Sequence, residues 1–507
     1  MEPKIVIGVD CGTQSLRAAL YRTDGVLLAE AGYPYETRRP RINWAEQNPE
    51  DWWTALCRAV PECLAKAGVA PGDVAAIACD GTSFTGVFCR EDGTPLRPAL
   101  LWMDIRAAEE AREIEATQDP VLEYCGRRIS AEWMMPKALW VRRNEPEVFG
   151  EAGRLIEGVD WLIYRLTGRW VTSTSNASGK RHWTLEHGWP KAFYERLGMP
   201  ELLGMSPDDV VYVGDSIATL TPDAAAALGL TPNCIVAHGG MDGWIAPVGM
   251  NSLGKGSAAL TLGTSTVVVA ETSTPILIDG IMGPFPEGIR RGYSVYEAGQ
   301  TSGGSVVGWF ADLCGVRLGS EEHRALEAEA ASLPPGSDGL IVFDAFQGNR
   351  TPYFDPLARA NICGLTLHHG RAALYRAILE GSAYGIRSVF DVLDCGGHPI
   401  QEVRVTGSGA ANRLWCEIIA TVTGRPLLVS TVTQATALGS AVCAATAAGA
   451  HPGLEAAAEA MAPPFETVWP GGGLEVYDTC YRAYVETYRL MRGTMHCLSN
   501  LSGMEKG

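Results

Sequence analysis

The sequence has no Cys-x-x-Cys pair, no histidine cluster at metal spacing, and no apolar run near the roughly 20 residues of a membrane span. Its 14 cysteines are scattered singly, several in apolar contexts such as Cys57 and Cys443. That pattern fits reduced, buried thiols better than disulfides or zinc. The 9 histidines are equally dispersed, and His368-His369 ends a strand-like segment as a turn pair. Positive charge is short: 41 Lys and Arg face 58 Asp and Glu, for a net charge of -17. This balance argues against a nucleic-acid-binding surface. Met1-Glu2-Pro3-Lys4 runs straight into a strand pattern without a basic apolar leader, so the expected location is cytoplasmic and no membrane partner is expected.

What is present is a turn used twice. Ile5-Val6-Ile7-Gly8-Val9 leads into Asp10-Cys11-Gly12-Thr13-Gln14-Ser15, and Leu16–Leu20 follows. Ala258–Leu262 leads into Gly263-Thr264-Ser265, and Val267–Ala270 follows. A strand, a Gly-Thr turn and a returning strand form a hairpin whose N–H groups and hydroxyls can face a phosphate. Two such hairpins predict a duplicated fold gripping a polyphosphate from both sides. The acidic total does not forbid ATP, because its magnesium complex carries less charge and a pocket's field is local.

The remaining pattern agrees with a duplication. Strands are predicted at Ile5–Asp10, Leu16–Arg22, Val26–Tyr33, Val74–Cys79 and Thr85–Arg90, with Glu91-Asp92-Gly93-Thr94 as a hairpin turn. Helices follow at Pro49–Gly68, capped by Asn48, and at Ala107–Thr117, Pro136–Asn144, Gly158–Thr167 and Gly243–Met250. A second unit begins near Gly256, with helices at Gly303–Cys314, Glu321–Leu333, Arg371–Cys395, Asn412–Gly424 and Thr436–Gly449. After about Arg492 no pattern is evident. At 507 residues the chain is too long for one core. The expected fold is α/β, with two ribonuclease-H-like domains and a cleft between them.

Two motifs are decoys. Gly249–Gly256 nearly matches a phosphate loop, but Gly256 stands where Ser or Thr must hold magnesium, and a strand follows instead of a helix. Gly407-Ser408-Gly409-Ala410-Ala411-Asn412 resembles a dinucleotide fingerprint, yet Asn412 replaces the third glycine and no ribose-binding acid lies about 20 residues on. That turn reads as an adenine seat, with close helix–strand packing as the alternative.

Asp10 ends a buried strand in company with Thr13, Ser15 and Arg17, so a cation, magnesium, is a natural partner. Asp242, after His238-Gly239-Gly240-Met241, is either a helix N-cap or an acceptor for the proton of an attacking hydroxyl. Residue type and position leave those two readings open. Polar residues stranded among apolar or glycine-rich segments suit a polyol pocket: Asp80, Thr82, Ser83, Asp104, Arg106, Lys180 and Glu297.

Taken in order, these motifs resemble the FGGY carbohydrate kinases, of the sugar kinase, actin and heat-shock ATPase fold. The likeness runs from about residue 4 to 490. It also rests on Trp44–Trp53, Pro95–Asp104 and Gly364-Leu365-Thr366-Leu367. The resemblance implies an ATP- and Mg2+-dependent kinase acting on a terminal hydroxyl of a small sugar. It implies an N-terminal sugar-binding domain over 1–253, a C-terminal ATP-binding domain over 254–492, a ragged tail over 493–507, and a possible homodimer. Asp242 matches the family's catalytic base and Asp10 the magnesium-linked Asp. Gly12, Thr13, Gln14, Ser15, Arg17, Gly263, Thr264 and Ser265 match the phosphate hairpins; Gly407, Gly409, Ala410 and Asn412 match the adenine pocket. Phe346–Tyr353, Tyr296–Ser302 and Ala131–Lys137 look most like ribulokinase-type pentulose kinases, in which Ser83, Lys180 and Glu297 would line the sugar pocket with Asp242. Glycerol kinases would carry Arg-Glu at Thr82 and Ser83, and xylulose kinases Met-His at Ser83 and Phe84; the chain departs from both. The other outcomes are a kinase for xylulose or another polyol, and a non-enzymatic nucleotide switch on the same fold.

Overall fold

The computed structural model describes residues 3–207, 209–432 and 434–504, without the side chains of Lys180 and residues 502–504. Two twisted sheets dominate. The first contains β1 (Ile5–Cys11), β2 (Ser15–Arg22), β3 (Leu27–Pro34), β4 (Val74–Gly81), β5 (Ser216–Thr219) and β6 (Ile235–Met241), in the order β5-β6-β4-β1-β2-β3. The second contains β7 (Ser257–Leu262), β8 (Thr266–Thr272), β9 (Met282–Pro286), β10 (Ser294–Gln300), β11 (Glu402–Thr406), β12 (Leu427–Ser430) and β13 (Phe465–Val468). Its order is β9-β10-β8-β7-β11-β12-β13.

The duplication is exact in topology at six positions. In the first sheet β1 and β2, then β2 and β3, pair antiparallel, β1, β4 and β6 run parallel, and β5 closes the edge antiparallel. In the second, β7 and β8, then β8 and β10, pair antiparallel, β7, β11 and β12 run parallel, and β13 closes the edge antiparallel. Only β9 has no counterpart. The parallel strands read as continuous apolar runs because both faces are covered: Val6, Ile7 and Val9 of β1 are fully buried, as are Ile77, Ala78 and Cys79 of β4.

The helices follow their sequence signals. α1 (Pro49–Ala67) begins at Asn48, whose side chain accepts from Glu50 N, and stops at Gly68 with φ 64°. α2 (Met134–Asn144), α3 (Gly158–Thr167) and α4 (Thr174–Arg181) lie in the first half, and α5 (Asp242–Gly249) closes it. The near-match to a phosphate loop is the connection from α5 to β7, as its context predicted. α6 (Gly304–Leu313), α7 (Arg371–Cys395), α8 (Arg413–Thr423) and α9 (Ala435–Ala447) follow.

The two halves are locked where α5 crosses α9. Glycines make this crossing possible. A Cβ on Gly8 would penetrate Ala437 O, one on Gly249 would penetrate Ala435 O, and one on Gly439 would penetrate Ile245 O. A helix of the second half thus lies directly on β1 and α5 of the first.

Of the segment 493–507 expected to be ragged, residues 493–504 are instead the end of α10 (Leu474–Met504), and 505–507 lie outside the described residues. Its buried stripe of Tyr477, Tyr484, Tyr488 and Met495 keeps a helical spacing past residue 492. His496 Nε2 lies 2.7 Å from Asp355 Oδ2, and Tyr488 donates to the same oxygen at 2.9 Å. The tail therefore braces the loop that contains Asp355. Deleting residues 493–507 removes the burial of Met495, worth about 2 kcal/mol, and should lower the melting temperature. An unchanged calorimetric trace would contradict that assignment.

Candidate active site

Three carboxylates emerge at the C-terminal ends of adjacent parallel strands, where open α/β sheets bind ligands. Asp10 of β1 stands beside Asp80 of β4, which is in register with Gly240 of β6, two residues before Asp242. Asp80 Oδ1 is buried without a hydrogen-bond donor, while Oδ2 accepts from Ser440 Oγ at 2.7 Å. Asp10 Oδ2 accepts from Thr436 Oγ1 at 2.8 Å. Thr436 and Ser440 are one turn apart on α9, so a single helix face of the second half holds both acids of the first.

Burial raises all three carboxyl groups. Asp80 is pushed well above its usual range, first by desolvation and then by the charge of Asp10. Asp10 is raised by desolvation, which outweighs the Thr436 hydroxyl and the Arg17 charge. Asp242 is pushed up to about 7, by desolvation and then by Asp10, against the opposing hydrogen bond from Gly243 N at 2.7 Å. Crowded buried acids of this kind favour a cation or a shared proton. Among the described residues no group of three His, Cys, Asp or Glu side chains is placed to hold a metal ion. A divalent ion here would therefore complete its shell with water and ligand oxygens, as Mg2+ ordinarily does.

The two glycine turns have the expected form. Gly12 N donates to Ser15 O at 3.2 Å and Gly263 N to Ser265 O at 3.0 Å. Behind the second, the start of α6 clamps Thr264 O through Gly303 N, Ser305 N and Ser305 Oγ. Thr13 and Ser265, one from each turn, line the same cavity, of about 630 Å³. Thr82, Ser83, Asp242 and Glu297 line it too, so residues from both halves face one space. Glu297 is held by Trp244 Nε1 at 3.0 Å, two residues beyond Asp242 on α5. Trp102, Trp133, Phe84 and Met282 supply apolar wall, and Trp102 Nε1 donates to Thr13 Oγ1 at 3.0 Å.

Several expected site residues stand elsewhere. Asp104 is fully buried and does not reach the cavity: it accepts from Ala45 N at 2.7 Å and pairs with Arg106, also at 2.7 Å, which stacks on Trp44. A carboxylate so fully paired is a structural clamp. Arg17 pairs with Gln434 and faces Asp10 across the β1–β2 pair, and Gln14 and Thr264 have exposed side chains. Asn412 caps α8 by accepting from Trp415 N at 3.0 Å and donates to Tyr375 Oη at 3.0 Å, so both ends of its amide are engaged within the protein. Gly407, at φ 94°, and Gly409 leave room for Leu262 at the end of β7, and Ala410 follows on the same half-exposed turn. The packing alternative thus accounts for both glycines. Lys180 lies on α4, but its side chain is outside the described residues.

Sequence reasoning missed the α9 hydroxyls and the aromatic wall. Thr436 and Ser440 carry no local signal, because their partners are 426 and 360 residues away. No helix is long and apolar enough to cross a membrane among the described residues.

Comparison with known proteins agrees with this geometry. Residues 5–249 match the model of the FGGY family of carbohydrate kinases, N-terminal domain, and residues 258–448 that of its C-terminal domain. The chain is 31% identical to a ribulokinase of Geobacillus thermodenitrificans over 85% of this chain and 83% of that protein. It is 33% identical to a ribulokinase of Mycolicibacterium smegmatis over 84% and 82%. The structure of xylulose kinase from Rhodospirillum rubrum superposes with a TM-score of 0.88 at 27% identity, covering 97% of this chain and all of the other. Two sheets of one topology, a cleft lined from both, a raised carboxyl at its floor and family matches over nearly the whole length lead to one conclusion: this chain belongs to the FGGY family of carbohydrate kinases.

Proposed function

We propose that the protein transfers the γ-phosphoryl group of ATP to a terminal hydroxyl of a ketopentose, ribulose being the favoured substrate. The observation that carries this reading is the shared cavity, which Asp242, Ser83 and Glu297 line together with Thr13 and Ser265. The ribulokinase relatives named above and the departures from xylulose and glycerol kinase patterns at Thr82, Ser83 and Phe84 support the choice of sugar.

The chemistry follows from the residues. In phosphoryl transfer, catalysis is mostly positioning and charge stabilisation, so one well-placed acceptor is enough. Asp242 takes the proton of the attacking hydroxyl. Glu297, fixed by Trp244, and Ser83 orient the sugar, and the Thr13 and Ser265 hydroxyls face the phosphates. Mg2+ bound with ATP would be held on the Asp10 side, paired with Asp80, and would neutralise phosphate charge. Closure of the cleft keeps water from competing with the sugar.

A coupled ADP-release screen over ketopentoses, aldoses and polyols tests the reading. The largest kcat/KM is expected for one enantiomer of ribulose. Preference for xylulose would replace the sugar, and no response to any sugar would remove the reading altogether. The pH dependence is a second test. A protonated Asp242 cannot accept a proton, so kcat/KM should fall about tenfold per unit below the value of about 7 at which that carboxyl titrates. A profile flat from pH 5 to 8 would contradict the role of Asp242.

A further inference from the structure

Lys137 is a buried amine that the chemistry above does not use. It lies on α2 at 0% exposure, outside the lining of the cavity. Its amine donates to two main-chain carbonyls, Phe84 O at 2.9 Å and Leu101 O at 2.6 Å. Neither partner is a carboxylate; burial pulls the amine down to about 7, against the more distant charges of Asp104, Glu132 and Glu157. A polar group kept in the interior is costly unless its hydrogen bonds are made, and these two carbonyls are what the amine is held for.

The two carbonyls identify its role. Phe84 closes the segment Thr82-Ser83-Phe84, all three residues of which line the cavity, and its φ is 59°. An aromatic residue holds that left-handed conformation only when its surroundings impose it. Leu101 precedes Trp102, the wall residue that donates to Thr13. Among the described residues the strand pairing between them is one register, Gly86 opposite Leu100, and Phe84 and Trp102 share one apolar cluster. Lys137 thus bridges the pieces of backbone that place Ser83 and Trp102.

We propose that Lys137 is a positioning residue for the acceptor sugar, its amine pinning the Thr82–Phe84 turn to the Leu101–Trp102 strand end so that both walls of the pocket keep their spacing. This rests on the cavity being the sugar site. Without this side chain the link between the two carbonyls is gone: Leu101 O keeps Asp104 N at 2.9 Å, but Phe84 O loses the Lys137 donor that ties its turn to that strand end.

The test compares Lys137→Met, which keeps the length and apolar stem, with Lys137→Arg, which keeps the donors. Lys137→Met is expected to raise the sugar KM at least about tenfold while the ATP KM stays within about threefold, with Lys137→Arg between it and wild type. A loss of folded fraction alone would lower Vmax and leave the sugar KM in place. An unchanged sugar KM, or equal rises in both KM values, overturns the proposal. If Lys137→Met does not fold, hydrogen exchange on the wild-type enzyme decides: saturating sugar should slow exchange at residues 82–86 and 101–104 together, and independent responses would overturn it. A wild-type enzyme that responds to no sugar removes the sugar site itself, and the proposal with it; the other failures remove only the role of Lys137.

Discussion

Replacing Asp242 by Asn is expected to lower kcat roughly 10²- to 10⁴-fold, the usual contribution of a positioned general base, while sugar and ATP still bind. The side chain sits at the first turn of α5 beside Gly243 N, which an amide oxygen can also accept from, so the fold should survive. A second consequence distinguishes this site from an ordinary surface acid. The Asp242 carboxyl titrates at about 7 in the folded protein, against 3.8 ordinarily. The folded state therefore binds more protons than the unfolded one between those values. Its contribution to stability is complete below pH 4 and is lost as the pH rises through 7. Asn carries no such penalty. Asp242→Asn should melt above wild type at pH 8, with the difference vanishing near pH 4. Equal melting temperatures at pH 8, or normal turnover, would contradict the site as described.

The other large effect is expected far from any substrate. Gly439→Ala places a methyl group inside the contact distance of the backbone Ile245 O and 2.7 Å from the branched Ile245 Cγ2, neither of them the tip of a flexible side chain. Gly8 and Gly249 meet α9 in the same way. Since overpacking a rigid core costs about 1–3 kcal/mol and sometimes more, α5 and α9 would have to separate, drawing Thr436 and Ser440 away from Asp10 and Asp80. Gly439→Ala should therefore be poorly soluble or, if folded, have both a lowered melting temperature and depressed turnover. A soluble variant with wild-type kinetics would show that the helices have slack that the structure does not contain.

Much of this architecture could be read from residues alone because its signals are local. The glycine turns flanked by apolar strands, the Asn48 and Gly68 caps, and the helices at Gly158–Thr167 and Arg371–Cys395 all depend on neighbours in the chain. What escaped depends on contacts between distant residues. Asp104 has the appearance of a site acid, and only the fold shows Ala45 N and Arg106 closing around it. Lys137 was noticed as part of a motif, but nothing near it in sequence indicates that Phe84 and Leu101 would be its partners. The tail failed for another reason: its core-facing stripe combines Tyr with Met, and beyond residue 492 only Met495 continues the apolar set.

The hydroxyls of Thr436 and Ser440, which reach from one half into the acids of the other, bear on how such an enzyme can be recombined. A chimera that takes its first half from one kinase and its second from a cousin would inherit carboxylates tuned for a different helix. Swapping lobes at the 250–256 connection should thus yield proteins that fold yet idle, unless the crossing pair and the strand ends beneath it are grafted as one piece.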